Sequence, residues 1–276
     1  MTIFKRIAAA AAIALCALAP TAALAEKVLF LSTGPEVNDS GTGPHQTAID
    51  NIHTYLSGKY GDGYSDWRNK LSTGTIDTAS DKFKEAEIFV LAVGAVGINQ
   101  DELDKLKAKM KDENVSFIIF AEGCDDNTAK VKGSTACQKN INDVTKFVGD
   151  ATTLKLKDGG TTGGVTTKPR NLSSSYSSYF SALSGIKIER YRTISGAKAD
   201  NQLYGADGDS AFAIFVPTTQ TGAACVFLAG DLTMWKDGSG SDGFKAQRTT
   251  LGNTLLANVK PGSAACTAAP PPASVL

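Results

Sequence analysis

Apolar and amphipathic stretches alternate along most of this chain. Three uncharged apolar runs, at 28–31, 88–93 and 117–120, are typical of strands that are buried on both faces of a parallel sheet. Apolar residues at helical spacing follow the first two runs and predict helices over about 44–57 and 99–110. This alternation predicts an α/β protein in which helices cover both faces of a mostly parallel sheet.

Local signals mark where these two helices begin. Pro44 suits the first turn of a helix, where its missing N–H leaves no hydrogen bond unmade. Asn99 can cap the second helix, and Glu102, three residues later, completes a capping box. We therefore expect the Glu102 side chain to reach back towards the backbone N–H of Asn99.

The alternation changes in the second half of the chain. The stretch 151–184 is rich in Thr, Ser and Gly and predicts an irregular excursion or a β-rich insertion. Beyond it, apolar patterns predict a strand from about Ile186, two further strands at 211–216 and 225–229, and a closing helix over about 244–259. A weaker strand is predicted at 71–76, after a loop that is rich in glycine and aromatic residues. The fold class is thus α/β, a flavodoxin-like three-layer domain with an insertion.

The first 25 residues have the layout of a secretory signal peptide. Lys5 and Arg6 precede an apolar run over 7–18, and Ala23-Leu24-Ala25 offers the small residues that a signal peptidase requires. A membrane anchor is the alternative, but about a dozen apolar residues are too few to span ~30 Å of hydrocarbon. We expect cleavage before Glu26 and a periplasmic, secreted or cell-surface protein.

The overall charge gives no reason to expect a nucleic-acid partner. Lys and Arg number 28 and balance 28 Asp and Glu, and removal of the signal leaves a slightly acidic mature chain. No later segment is apolar enough to predict a membrane span in the mature chain. We predict a single domain over 26–260, followed by a disordered Ala/Pro-rich tail over 261–276. The tail also resembles the proline-rich spacer before a bacterial sorting anchor, so a truncated anchor is the alternative to a plain disordered tail.

Four cysteines remain after removal of the signal peptide, which carries Cys16, the fifth. An even number in an exported protein indicates two disulfides. Cys124 follows a predicted strand and Cys137 precedes the next helix, which places both at the carboxyl edge of the sheet. Cys225 begins a strand, and Cys266 follows the closing helix, which places both at the amino edge. Because a disulfide needs Cα atoms within ~7 Å, we predict the pairs Cys124–Cys137 and Cys225–Cys266.

Candidate ligand-binding residues lie after the predicted strands. In an open α/β sheet, ligands bind beyond the carboxyl ends of the strands, where glycines permit close approach of the backbone. We predict no metal site and no cofactor; His45 and His53 lie about 12 Å apart along a helix, too far to chelate one ion. The candidate residues are Thr33, Gly34, Glu36, His45, Gly94, Gly97, Glu122, Asp231 and Trp235.

The chain resembles the class I glutamine amidotransferase-like superfamily, including its trehalose-utilisation-like branch, which lacks the Cys-His-Glu triad. The resemblance rests on KVLFLSTG at the start of the domain, AEIFVLAVG in the central strand and VFLAGDLTMW before the closing helix. It implies an amidotransferase-like fold over most of 27–259. Cys124 in EGCDD corresponds only loosely to the family's nucleophile, and no histidine follows His53. The resemblance therefore implies a member without the catalytic triad.

Two functions are consistent with these patterns. The first is an exported, non-catalytic binding or surface-associated protein that takes an unknown small molecule or glycan. The alternative is a secreted hydrolase that uses Glu122 and Asp231 as paired carboxylates on a carbohydrate or related substrate. Trp235 and Trp67 are expected to be exposed loop aromatics, and Trp235 would then offer a stacking platform for a sugar.

Overall fold

The fold is given by a computed structural model, which describes residues 26–34, 44–94, 98–112, 114–121, 155–158, 165–169, 176–188, 192–198, 201–206, 209–215, 225–236 and 242–267. The strands in chain order are β1 (Val28–Ser32), β2 (Tyr64–Trp67), β3 (Ile88–Val93), β4 (Ser116–Ala121), β5 (Lys155–Asp158), β6 (Val165–Thr166), β7 (Lys168–Pro169), β8 (Lys187–Ile188), β9 (Arg192–Ser195), β10 (Gln202–Ala206), β11 (Asp209–Phe215) and β12 (Cys225–Ala229). The helices in chain order are α1 (Pro44–Tyr60), α2 (Lys70–Thr73), α3 (Asp81–Lys84), α4 (Gln100–Asp112), α5 (Asp242–Asn258) and α6 (Ala264–Thr267). None of these helices is long and apolar enough to cross a bilayer.

Within the described residues, eight strands form the main sheet in the order β2-β1-β3-β4-β12-β11-β10-β7. The first five strands are parallel, and the last three continue the sheet in antiparallel pairs. Counted along the chain, the parallel strands have the order 2-1-3-4-5 of flavodoxin-like proteins, which places the topological switch point between β1 and β3. The prediction of a flavodoxin-like α/β fold is confirmed.

Two apolar cores hold the sheet between its helical layers. One core joins α1 and α5 to one face, where Ile52 and Leu255 pack with Phe30 and Phe227. The other core joins α2, α3 and α4 to the opposite face, where Leu106 packs among Phe89 and Phe117. These strands are uncharged because side chains on both of their faces are removed from water.

Two strand predictions need correction. The predicted strand at 71–76 is wrong: Lys70–Thr73 is the short helix α2, which Leu71 anchors to the core. The edge strand of the sheet is instead β2, in the segment for which the pattern predicts a loop. A polar edge strand buries few side chains, and within β2 only Trp67 is buried. Strand β10, which pairs with β11, was also not predicted.

The insertion and the strands around it are rich in β structure where the structure describes them. Strand β5 pairs with β9, and β6 pairs with β8, in two separate two-stranded sheets. Strand β7 instead joins the edge of the main sheet beside β10. Of the two predictions for 151–184, the described residues favour the β-rich insertion.

The amino edge of the sheet carries the predicted disulfide between Cys225 and Cys266. Their Cα atoms are 5.2 Å apart, and both residues are buried. Cys225 begins β12 opposite Ser116, the first residue of β4, so the bond fixes the end of the chain that follows α5 to the amino edge. This pairing is confirmed. Cys124 and Cys137 lie outside the described residues, so their pairing stays a prediction.

The start of α4 is capped differently from the prediction. Asn99 does act as the cap, since its side-chain oxygen accepts the N–H of Asp101 at 2.9 Å. Its own N–H, however, donates to the carbonyl oxygen of Leu71, not to Glu102. The fully buried Glu102 carboxylate instead accepts the N–H of Ile76 at 3.1 Å and the Lys105 ammonium at 2.9 Å. Glu102 therefore fastens the loop before α3 to helix α4.

Glu102→Met is expected to lower the free energy of unfolding by about 2 kcal/mol, because it keeps the volume but leaves the buried N–H of Ile76 without its acceptor. Glu102→Gln keeps an acceptor for that N–H and should cost about half as much. Urea unfolding followed by circular dichroism measures both changes. Gln100→Ala, at an exposed position on the same helix, is the control and should change stability by less than about 0.5 kcal/mol. Equal stabilities for Glu102→Met and the control would contradict this role.

Candidate functional site

The loops after β1 and β3 meet at the switch point, at the carboxyl edge of the sheet. Thr33 donates its N–H to the carbonyl oxygen of Ala92 at 3.0 Å, and its hydroxyl accepts the N–H of Gly94 at 2.9 Å. The N–H of Gly34 donates to the Ser72 hydroxyl at 2.8 Å. The structure thus brings Thr33, Gly34 and Gly94 to the carboxyl edge of the sheet, and their role in binding a ligand stays a prediction. Thr33 is fully buried, and its hydroxyl holds the two loops in place.

Asp231 follows β12 and is fully buried. Its Oδ1 accepts the Thr233 hydroxyl at 2.7 Å and the N–H of Met234 at 3.3 Å. These contacts cap the 3₁₀ turn 233–235 that follows the strand, in the way that aspartate side chains commonly begin such turns. Asp231 therefore shapes the turn that follows β12.

Both tryptophans are buried, so the expectation of exposed loop aromatics is wrong. Trp235 is 2% exposed and Trp67 is 8% exposed. The Trp235 ring contacts the rings of Tyr55 and Phe120, at centroid distances of 5.7 and 5.5 Å. It therefore fills the core between α1 and the sheet and does not offer an open face for stacking.

Several predicted site residues lie outside the described part of the chain. Glu36, Gly97 and Glu122 belong to segments that the structure does not describe, and the same holds for the side chain of His45. The pairing of Glu122 with Asp231 therefore stays a prediction.

A cleft of about 300 Å³ opens at the carboxyl end of β2. Asn69 shapes this cleft because its backbone has a φ of +68°, in the left-handed region that asparagine tolerates better than most residues. Its N–H donates to the Ser32 hydroxyl at 3.0 Å, which ties the cleft to the end of β1. Among the described residues, those that line the cleft are Gln46, Asp66, Trp67, Arg68, Asn69 and Lys70.

Charges in and around the cleft are paired. The Arg68 guanidinium donates from Nε to Asp66 Oδ2 at 2.9 Å and from Nη1 to Asp50 Oδ1 at 2.8 Å. The Lys70 ammonium lies 5.0 Å from the centroid of the Trp67 ring and covers it. Among the described residues, the cleft therefore presents the cations of Arg68 and Lys70 beside the carboxylates of Asp50 and Asp66.

His53 on α1 extends this network away from the cleft. Its Nδ1 lies 2.8 Å from the Tyr64 hydroxyl and 3.3 Å from Asp66 Oδ2. Burial raises the pKa of Tyr64 well above its usual value; Asp66 raises it further, and Arg68 opposes the change. The Tyr64 hydroxyl therefore keeps its proton at neutral pH and can act as a donor.

This cleft and the network around it were not predicted from the sequence. A usable signal was present, because alternation in YSDW places Tyr64 and Asp66 on the same face of a strand. On α1, helical spacing places Gln46, Asp50 and His53 on one side of the helix. Recognising β2 as the edge strand would have brought these two faces together.

Comparisons with known proteins find little. No family model matches the chain, and no curated protein matches it. Among solved structures, one from Bacteroides uniformis that is described as ThuA-like is similar, with 12% sequence identity and a TM-score of 0.48. The match covers 86% of this chain and 94% of that chain. A likeness this loose carries no argument about the site.

Proposed function

We propose that this chain is an exported, non-catalytic binding protein that holds a small, uncharged polyhydroxy ligand, such as a sugar, in the cleft at the end of β2. The observation that carries the proposal is the mixed lining of that cleft, with carboxylate, guanidinium and amide groups around about 300 Å³. This volume is at the lower end of the range for small-molecule sites.

The chemistry of the lining favours hydroxyl groups over ions. A sugar hydroxyl both donates and accepts, so it can bond to a carboxylate and to a neighbouring guanidinium or amide at the same time. Asp66 offers acceptors, Arg68 offers donors, and Gln46 and Asn69 offer both. A strongly anionic ligand would have to compete with Asp50 and Asp66 for the guanidinium of Arg68.

Two further features support export and the absence of catalysis. A disulfide such as Cys225–Cys266 persists in oxidising compartments, which agrees with the signal-like segment at residues 1–25. The resemblance to triad-free amidotransferase-like proteins is part of this proposal. The contacts of Asp231 favour a structural role over the acid–base role that the hydrolase alternative requires.

The test is a binding screen on the protein without residues 1–25, by isothermal calorimetry at pH 7.5. The probes are neutral mono- and disaccharides, glucuronate and inorganic phosphate. We expect a neutral sugar to bind, and Arg68→Ala to weaken its binding at least tenfold, since charged hydrogen bonds contribute about 1.5–3 kcal/mol each. Gln100→Ala, on the exposed side of α4, should leave the affinity unchanged.

Two outcomes would contradict the proposal. If only glucuronate or phosphate binds, the cleft is an anion site and the ligand class is wrong. If the protein hydrolyses a glycoside and Glu122→Gln or Asp231→Asn abolishes the turnover, the hydrolase alternative replaces the binding function.

A further inference from the structure

We propose that His53 is a proton-operated switch for the cleft, which controls how the Oδ2 atom of Asp66 is shared between Arg68 and the imidazolium ring. This inference rests on the proposed function, because it describes how binding in that same cleft would be regulated. Histidine is the side chain whose charge ordinarily changes within the range from pH 5 to 8.

The geometry places two potential cations on a single oxygen atom. Arg68 Nε lies 2.9 Å from Asp66 Oδ2, and His53 Nδ1 lies 3.3 Å from the same oxygen. When the ring is neutral and Nδ1 carries no proton, Nδ1 accepts the Tyr64 hydroxyl at 2.8 Å. In this state Arg68 is the only one of the two residues that is charged, so no second cation competes for Asp66 Oδ2.

Proton uptake reverses the role of Nδ1. The imidazolium N–H can no longer accept from the Tyr64 hydroxyl, which keeps its own proton because burial raises the pKa of Tyr64. The new donor turns to the adjacent carboxylate oxygen of Asp66, where a charge-assisted hydrogen bond is stronger than a neutral one. Arg68 and His53 now repel each other across one carboxylate.

The described groups around His53 determine how Arg68 responds when the ring takes up a proton. On α1, Asp50 accepts a hydrogen bond from Nη1 of Arg68. The other described groups near His53 are Tyr64 and Asp66 on β2, and Arg68, which follows β2. When the bond from Nε to Asp66 Oδ2 weakens, Arg68 stays attached to Asp50 through Nη1 and to Asp66 Oδ1 through Nε and its backbone N–H, and its guanidinium turns within the cleft. Because Arg68 lines the cleft, the protonation state of His53 alters the donors that a ligand meets.

His53 and Asp66 are partly buried, so their charges interact strongly and the ring is still accessible to protons from solvent. The side chains of His53 and Asp66 are 30% and 27% exposed, so protons reach the ring from solvent while the surrounding protein reduces screening. A fully exposed pair would couple only weakly.

The first experiment needs no ligand. We would follow the ring nitrogens of His53 and the Nε–H of Arg68 by ¹⁵N NMR from pH 5 to 8, in a His45→Gln background that leaves one histidine. We expect the neutral ring to carry its proton on Nε2, and the Arg68 Nε–H resonance to shift in step with protonation of His53. In His53→Gln, whose amide does not titrate, that shift should disappear.

Either of two results would overturn the switch: a neutral ring with its proton on Nδ1, or an Arg68 resonance that does not follow His53. Asp66→Asn is the matched control, because it removes the shared charge and should uncouple the two groups. If Arg68 still follows His53 in this variant, the coupling does not run through Asp66 and the proposal is wrong.

The second experiment measures the affinity for the sugar from the binding screen at pH 5.5 and pH 8. We expect at least a threefold difference in the wild type and none in His53→Gln; equal affinities in the wild type would overturn the regulation. The two proposals fail separately. Absence of sugar binding at every pH contradicts the proposed function, whereas sugar binding without coupled NMR shifts contradicts only the switch.

Discussion

Replacing Cys225 and Cys266 together with alanine is expected to lower the free energy of unfolding by about 4 kcal/mol. The two cysteines are 41 residues apart in sequence, and a cross-link over a loop of that size removes about this much conformational freedom from the unfolded chain. Urea unfolding of the oxidised protein, followed by far-UV circular dichroism, measures the change. The native state needs no rearrangement to form the bond, because the Cα atoms are 5.2 Å apart.

Two controls separate the cross-link from local packing. Ser116→Ala removes a hydroxyl that lies 3.9 Å from both sulfur atoms but leaves the disulfide intact, and it should cost less than about 1 kcal/mol. Each single cysteine variant should lose nearly as much stability as the double variant, since either change breaks the bond. A double variant that loses less than about 1 kcal/mol would show that the bond does not contribute to stability.

The central part of the fold was predictable, because its strands are buried and burial restricts which residues they can contain. Strands β1, β3, β4 and β12 are buried on both faces. Because charged side chains are costly to remove from water, these strands appear in the sequence as uncharged apolar runs. The helices between them carry apolar residues on the face that covers the sheet. The pattern alone therefore predicted a parallel, flavodoxin-like sheet.

The edges of the sheet were not predictable in the same way. Only Trp67 in strand β2 is buried, and the pairing of this strand with β1 is set by backbone hydrogen bonds that no local apolar pattern reveals. The burial of Trp67 and Trp235 depends likewise on helices that arrive from other parts of the chain. Sequence patterns record burial within one element, whereas contacts between elements have to be seen in three dimensions.

For the candidate site too, the residues that follow buried strands were predictable and those near the edge strand were not. Thr33, Gly34 and Gly94 follow buried strands, so the rule for parallel sheets placed them correctly at the carboxyl edge. The cleft follows the edge strand β2, whose sequence carries no run of buried apolar residues. The carboxylate of Asp66 collects its partners from α1 and from the residue after β2, and only the fold brings these groups together.

Gly252→Ala is expected to lower the free energy of unfolding by about 3 kcal/mol. Gly252 lies in α5 where the ring of Tyr55 from α1 crosses it, and a Cβ atom there would lie 2.3 Å from two ring carbons. Real structures do not tolerate such overlap, so the ring would have to move and lose its contact with Trp235 and its hydrogen bond to Asn253. The cost exceeds the gain of about 1 kcal/mol that alanine brings to a helix.

Gly58→Ala is the matched control, because it makes the same change within α1 where no atom lies within 4 Å of the new Cβ. Helix propensity should then stabilise the protein by about 0.5–1 kcal/mol. Thermal and urea unfolding of both variants would show opposite signs. Adding Tyr55→Ala to Gly252→Ala tests the mechanism: the double variant should be more stable than the sum of the two single changes predicts, because removal of the ring relieves the clash. If the two changes in the free energy of unfolding are strictly additive, contact with the Tyr55 ring is not the reason that position 252 needs glycine.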